Sequence, residues 1–401
     1  MKKTIGLIAL LFICGILGSC APPSPPDTEK APVIAYSRDR FTETPTRILY
    51  TTSGEYLYYY NKLTETSHVF CFDPLCNHIS WETCIAHKFF QNGINVTVQY
   101  YEPQNRFYTF RGQKFCSFSF DGSDLVIEYS LGEHGDFDDW TYNPFCTMSL
   151  QLWGSRAYFI TLDSETGNRE LCYIDLETKK MTVLTDDIAD RILGYQIFGD
   201  KIYLMIVGET MSGVYRADAD LLRIEKISED SRYLYSDAPF LNGYYYFVES
   251  ELRETETGEK SVPVGLSCAS LEDGTLTRLY TLTDSVLHDI LAVSEEYIYF
   301  IKKEPRSIGY RQLPQGVKVE MQNSFSRIYR FNRSNKECEV IFEDLSCEVD
   351  SFYFIDDTHV MILGKHCVSG EGNADKTSVM WIATTDERGY FKDPRITEVA
   401  S

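Results

Sequence analysis

Cys71, Cys76, His78 and Cys84 fall within fourteen residues, separated by four, one and five positions, and His87 follows three residues on. Three thiols and an imidazole make up a tetrahedral zinc set, with the cysteines bound as thiolates and the histidine as the neutral ring. Thiolates are soft donors, so iron or copper(I) fits the same ligands. Two other readings stand beside the metal: a disulfide that leaves one cysteine over, and plain burial of free thiols. The spacing is not that of the common zinc modules, and Cys71 closes a strand-like run instead of sitting in a knuckle.

A second cluster is the loop His134-Gly135-Asp136-Phe137-Asp138-Asp139. Its three carboxylates form an oxygen-rich set of the kind that binds calcium, but it lacks the alternating ligands and closing glutamate of an EF-hand. A solvated acidic loop is the expected reading. Glycoside cleavage would need two carboxyl groups held at a fixed separation, and position along this chain brings no such pair together. There is no Gly-x-Ser-x-Gly elbow, no His-Glu-x-x-His and no phosphate loop. His288, His359 and His366 are expected to be structural, Cys146 and Cys367 have no assignable role, and no catalytic residue follows from these patterns.

The elements that would hold these residues come from a repeat. A polar or turn residue followed by alternation about a central aromatic recurs at Glu55–Tyr60, Asn105–Phe110, Ser155–Ile160, Asp200–Met205, Asn242–Phe247 and Glu296–Ile301, with a weaker copy at Thr358–Leu363. The fourth positions are Tyr58, Tyr108, Tyr158, Tyr203, Tyr245, Tyr299 and Met361, spaced 42 to 62 residues apart. A second phrase follows each copy, as in Leu171–Leu176, Val214–Ala219 and Ile328–Arg333, and as Val69–Pro74 in the first unit. A short fourth run closes several units, as in Met181–Leu184 and Thr277–Tyr280.

Short alternating runs bounded by turn residues, rich in aromatic and β-branched side chains, read as antiparallel strands. One four-stranded sheet cannot bury both its faces, whereas sheets stacked about an axis can. The expectation is an all-β chain: a β-propeller of seven four-stranded blades over residues 47–401. The cysteine-rich insert, at about residues 71–90, would stand where blade 1 should have its fourth strand. Val33–Ser37 would supply one more strand, with no assigned partner. A pair of β-sandwiches is the alternative, and the regular spacing counts against it. In this frame Cys116 and Cys172 share one repeat position, and Cys71 and Cys268 share the next. Cys116, Cys172 and Cys268 are therefore expected in the core, while Cys338 and Cys347 flank the run Val340–Glu343 and are candidates for a bridge.

The start of the chain is of another kind. Lys2 and Lys3 precede an uncharged apolar run, Ile5–Leu17, which is shorter than the about 20 residues a spanning helix needs. A basic start, a short apolar core and small residues after it mark a signal peptide, here residues 1–19. Leu17-Gly18-Ser19-Cys20 resembles the lipobox of bacterial lipoproteins. The resemblance implies cleavage before Cys20, acylation of Cys20 (palmitate-type chains), and anchoring in the lipid bilayer of the cell membrane on its extracytoplasmic face. Two acyl chains give stable attachment where one does not. Residues 20–46 would then form a lipidated stalk and N-terminal strand, stiffened by Pro22, Pro23, Pro25, Pro26 and Pro32.

The formal net charge of the 401 residues is −21, and loss of Lys2 and Lys3 makes the mature chain more acidic still. That argues against nucleic acid and against polybasic docking onto anionic lipid. Export permits disulfides, yet a chain this long buries a sufficient core without them, so the 12 cysteines decide nothing alone. The cysteine–histidine spacing is similar to a motif in propeller lipoproteins of Gram-positive bacteria, and the repeat loosely resembles TolB-like propellers. Those resemblances imply a fold and a cell-surface address, and no reaction. Three functions follow as expectations. One is a non-catalytic binding or assembly module that meets a protein or glycan at its end loops. The second is an extracellular carbohydrate-active lyase or hydrolase. The third is a metal- or thiol-handling protein using zinc or another thiophilic metal.

Overall fold

Side chains of a strand alternate between its two faces, and in this chain both faces of the middle strands are apolar. Within Arg156–Leu162, Ala157 and Phe159 join a cluster with Tyr108, Phe110 and Phe115, while Tyr158 and Ile160 join another with Tyr195, Ile202 and Leu204. A sheet with two apolar faces needs a neighbour on each side, and repeating that demand closes a ring. The computed structural model describes residues 34–36, 41–51, 56–71, 75–76, 97–111, 114–120, 124–131, 150–162, 169–185, 188, 191–219, 223–228, 239–255, 258–283, 286–312, 318–343, 347–367 and 376–397. They form seven antiparallel sheets, six of four strands and one of five. The blades span residues 41–69, 99–130, 151–183, 191–228, 240–281, 287–343 and 347–397. A buried apolar cluster fills each of the seven interfaces between neighbours. The chain is the all-β, seven-bladed propeller that the repeat predicts.

The first strand of each blade lies innermost. Gln151 in blade 3 donates to Gln196 in blade 4 at 3.0 Å and accepts from the Ile197 N–H at 2.9 Å, so two first strands stand side by side. The fourth strands make the rim, where Val126, Ile127, Val183, Ile224, Leu276 and Ile396 are exposed. Each blade's own four strands are consecutive in sequence. Blade 7 therefore meets blade 1 through side chains, without a strand exchanged between them: Tyr353, Met361, Leu363 and Met380 pack on Ile48, Tyr50, Tyr58 and Tyr60.

Blade 1 corrects the repeat frame. Tyr108, Tyr158, Tyr203, Tyr245, Tyr299 and Met361 all lie in second strands, but Tyr58 lies in a third strand, Leu57–Asn61. The true second strand is Arg47–Thr51, in which Tyr50 pairs with Phe41 and faces blade 7, whereas Tyr108 in the second strand of blade 2 faces blade 3. Middle strands of either rank are buried on both faces, so the same aromatic phrase serves both. Blade 1 also has a fourth strand, Thr66–Val69. The cysteine insert follows that strand and joins blade 1 to blade 2 instead of replacing it. Cys71 is consequently not equivalent to Cys268, which sits inside the third strand of blade 5, Gly258–Ser270.

The fifth strand of blade 6 comes from the N-terminal side of the chain. Ile34–Tyr36 pairs antiparallel with the innermost strand, Leu287–Ser294, with Ile34 opposite Ser294 and Tyr36 opposite Ala292. Ala35 packs into the interface of blades 5 and 6. Tyr36 reaches the seam between blades 7 and 1, where it stacks on Tyr353 at 4.9 Å and its hydroxyl accepts from the Phe354 N–H at 3.1 Å. The Tyr353 hydroxyl donates to Glu43, which also pairs with Lys62. Burial holds both phenols well above their ordinary range, and for Tyr353 the Glu43 carboxylate pushes the same way.

Two blades carry more strand than packing requires. The middle strands of blades 1 to 4 have 5 to 7 residues. Those of blade 5 have 12 and 13, and those of blade 6 have 16 and 15. Among the described residues, the stretch of blade 5 from Ser250 to Thr255 pairs only with Gly258–Pro263. Among the same residues, the stretch of blade 6 from Glu304 to Gln312 pairs only with Lys318–Phe325. These are two-stranded arms that extend past the described neighbouring strands of their own sheets.

Candidate functional site

The cysteine insert starts at the outer edge of blade 1, and strand alternation decides where its first thiol goes. Val69 packs into the seam of blades 7 and 1, Phe70 into the interface of blades 1 and 2, and Cys71 back against the seam. The Phe70 N–H still bonds Leu57 O at 2.8 Å, but the Cys71 N–H turns back onto Val69 O at 2.8 Å, which ends the strand. Cys76 packs against the same seam cluster, so the fold brings these two thiols to one apolar surface of Tyr50, Tyr58, Tyr60 and Val69. His78, Cys84 and His87 lie outside the described residues, as do Cys20 and the acidic loop 134–139. Among the described residues no group of three or more His, Cys, Asp or Glu is placed to hold a metal ion.

The metal and disulfide readings separate cleanly in the test tube. With a metal, protein purified without chelator carries close to one metal per chain, and Cys76→Ser and His78→Ala both lose it. Its affinity falls as the pH falls, because protons compete for the thiolates and the imidazole. With a disulfide, His78→Ala is silent and the intact mass is about two daltons low per bond, the two thiol protons having been lost. Plain burial gives neither signal.

The other cysteines belong to the core or its margins. Cys116 is fully buried in the third strand of blade 2, Cys172 in the interface of blades 2 and 3, and Cys268 is buried in that of blades 5 and 6, in the core as their repeat positions imply. Cys338 is a free thiol, which corrects the proposed bridge to Cys347. It packs beside Tyr280 against the interface of blades 5 and 6, and burial pushes its thiol up to about 11. A thiol so placed is neutral at physiological pH and a weak nucleophile. His359 is structural, fixed in the turn before its strand by Asp356, 3.1 Å from its Nδ1.

Polar side chains gather where the arm of blade 6 leaves the ring. Arg327 bonds Glu343 at 2.7 Å and Glu304 at 2.9 Å, Lys302 pairs with Glu304 at 3.1 Å, and Lys303 pairs with Glu348 across the interface to blade 7 at 3.7 Å. Hydrogen bonding and charge pairing with Lys302 and Arg327 hold the Glu304 carboxyl below its usual range, despite burial acting the other way. At the root of the blade 5 arm, Glu249 is clamped by both Nε and Nη2 of Arg278, at 2.8 and 2.6 Å, which lowers its pKa. Both roots are thus pinned by charge-assisted bonds, while Leu252 further out on the blade 5 arm is 69% exposed. Sequence reading passed over the arms because their alternation merely continues that of the blades.

No protein-family model matches the chain, and no curated protein does. Among solved structures the chain is similar to oligogalacturonate lyase from Vibrio parahaemolyticus, at 10% identity over 88% of this chain and 90% of that one, with a TM-score of 0.48. It is similar to TolB from Acinetobacter baumannii at 12% identity, over 88% and 78% of the two chains, with a TM-score of 0.32. It is also similar to a prolyl endopeptidase at 12% identity with a TM-score of 0.48, covering 91% of this chain but only 48% of that enzyme's length. Likeness at this level carries nothing about activity, and the propeller rests on the seven sheets themselves.

Proposed function

We propose that the protein is a non-catalytic binding or assembly module, anchored by lipid on Cys20 and displayed on the extracytoplasmic face of the cell membrane. The observation that carries the reading is the pair of arms on blades 5 and 6. Two-stranded ribbons are marginal by themselves. Stability alone gives no reason to extend them to 12–16 residues with charged roots. Contact with a partner does, and a protein or glycan ligand fits exposed strand with charged groups at its base.

The test replaces residues 250–263 and 305–324 by two-residue turns and probes defined glycan and peptide arrays. The trimmed protein is expected to melt within a few degrees of the parent and to lose the array signal. The parent should bind its ligand without changing it. Cleavage of a bound glycan, or binding that survives trimming, would overturn the proposal.

A further inference from the structure

The two arms carry opposite charge. In the blade 5 arm, residues 250–263, Glu251, Glu254, Glu256 and Glu259 stand against Arg253 and Lys260, which leaves it acidic. In the blade 6 arm, residues 305–325, Arg306, Arg311 and Lys318 stand against Glu320, which leaves it basic in a chain whose formal net charge is −21. The roots do not alter this balance. Lys302, Lys303 and Arg327 are matched there by Glu304, Glu343 and Glu348, and Arg278 by Glu249.

Neither arm is balanced across its own ribbon. The blade 5 register sets Arg253 opposite Lys260 and Glu254 opposite Glu259. Like charges directly opposite weaken a strand pair, so this register does not serve the ribbon itself. In blade 6, Arg306 is opposite Asn323, Arg311 opposite Val319 and Lys318 opposite Gln312, so none of these bases has a carboxylate across from it. Among the described residues the arms lie in separate sheets and share no strand pairing. Both continue second and third strands of neighbouring blades, so they leave the ring at the same end.

A polyanion suits the blade 6 arm and is repelled by the one beside it; a polycation meets the reverse. A second copy turned about a two-fold axis offers a basic arm to the acidic one and an acidic arm to the basic one, with each contact repeated by symmetry. Residues 250–263 and 305–325 suffice for the about 20–30 residues a side of a standard interface. Leu252, 69% exposed, supplies an apolar contact among the charges. Strands of the length of Ser250–Thr255 extend about 20 Å. That is well past the about 8 Å over which the like net charge of two rings is felt at physiological ionic strength.

We infer that the arms of blades 5 and 6 dock on the arms of a second copy of this chain, acidic on basic, in a two-fold pair. This rests on the reading of the arms as a contact surface and names their occupant.

The experiment places a photoreactive residue at position 252 of the full chain in mild detergent and mixes it with an isotope-labelled copy. Illumination is expected to give a covalent dimer, with the crosslink on residues 305–325 of the labelled copy. Two variants then test the charges, Arg306→Glu/Arg311→Glu/Lys318→Glu and Glu251→Lys/Glu254→Lys/Glu259→Lys. Each alone has two arms of one sign and is expected to lose the dimer several-fold. Mixed together, the acidic variant and the basic variant should regain it. No crosslink between wild-type copies, a crosslink that maps outside the arms, or a mixture that stays monomeric overturns the inference. A wild type that never pairs, while trimming the arms still abolishes array binding, overturns the second copy and leaves the arms as a binding surface.

Discussion

Excising blade 3, residues 151–183, in one piece is expected to leave a chain with no cooperative melting transition that elutes as aggregate. The blade contributes to two interfaces. Ala157, Phe159, Cys172 and Ile174 face blade 2, and Tyr158, Ile160 and Leu171 face blade 4. Its loss bares Tyr108, Phe110 and Phe115 on one neighbour and Tyr195, Ile202 and Leu204 on the other. Those faces were shaped for a seven-fold ring, and six blades must turn further at every interface to meet. Core packing tolerates little such change. Circular dichroism melting with size-exclusion chromatography reads the outcome, and a soluble monomer with one sharp transition would show that the blades are not closed in a ring.

Within the intact ring, Tyr158→Ala is expected to destabilise by about 3–5 kcal/mol, the range for removing a fully buried aromatic ring. Tyr158 is wholly buried, packs on Trp153 and Tyr173 at 6.0 and 5.5 Å, and its carbonyl accepts from the Tyr195 hydroxyl at 2.7 Å. That hydrogen bond ties blade 3 to blade 4 through the backbone and survives the substitution, so the loss reports on packing. Denaturant unfolding of the purified protein measures it. Leu63→Ala, at an exposed turn, is the control with almost no effect. A small change at Tyr158 would put its strand on the surface.

The ring was legible because its units repeat a physical demand, two apolar faces per middle strand, and repetition amplifies a weak local signal. Fourth strands at Met181–Val183 and Leu276–Thr281 were legible too, from the turns before them. Register within blade 1 was not, since Tyr50 and Tyr58 sit on paired strands of equal burial and both match the phrase. The place of Ile34–Tyr36 could not be read either. Three residues of strand carry no address, and the partner that supplies one, Leu287–Ser294, lies some 250 residues downstream in sequence. At the cysteine site the spacing announced chemistry, and alternation past Val69 explains why Cys71 returns to the seam of blades 7 and 1. Spacing alone did not reveal that Cys76 shares that surface.

The seam also sets the order in which this protein can be assembled. Glu43 and Tyr353 are 310 residues apart in sequence, and Tyr36 and Phe354 are 318 apart. The first six interfaces join neighbours along the chain and can form as segments become available; this one waits for the last blade. Contacts that distant are slow, because the loop they close must be ordered first. Until then Phe41, Tyr50 and Tyr58 have no partner blade, and a chain with a bare aromatic face is prone to stick to its neighbours. The vulnerable state of this molecule is thus a nearly finished one, six blades stacked and a gap still open, and the last fifty or so residues decide between ring and aggregate.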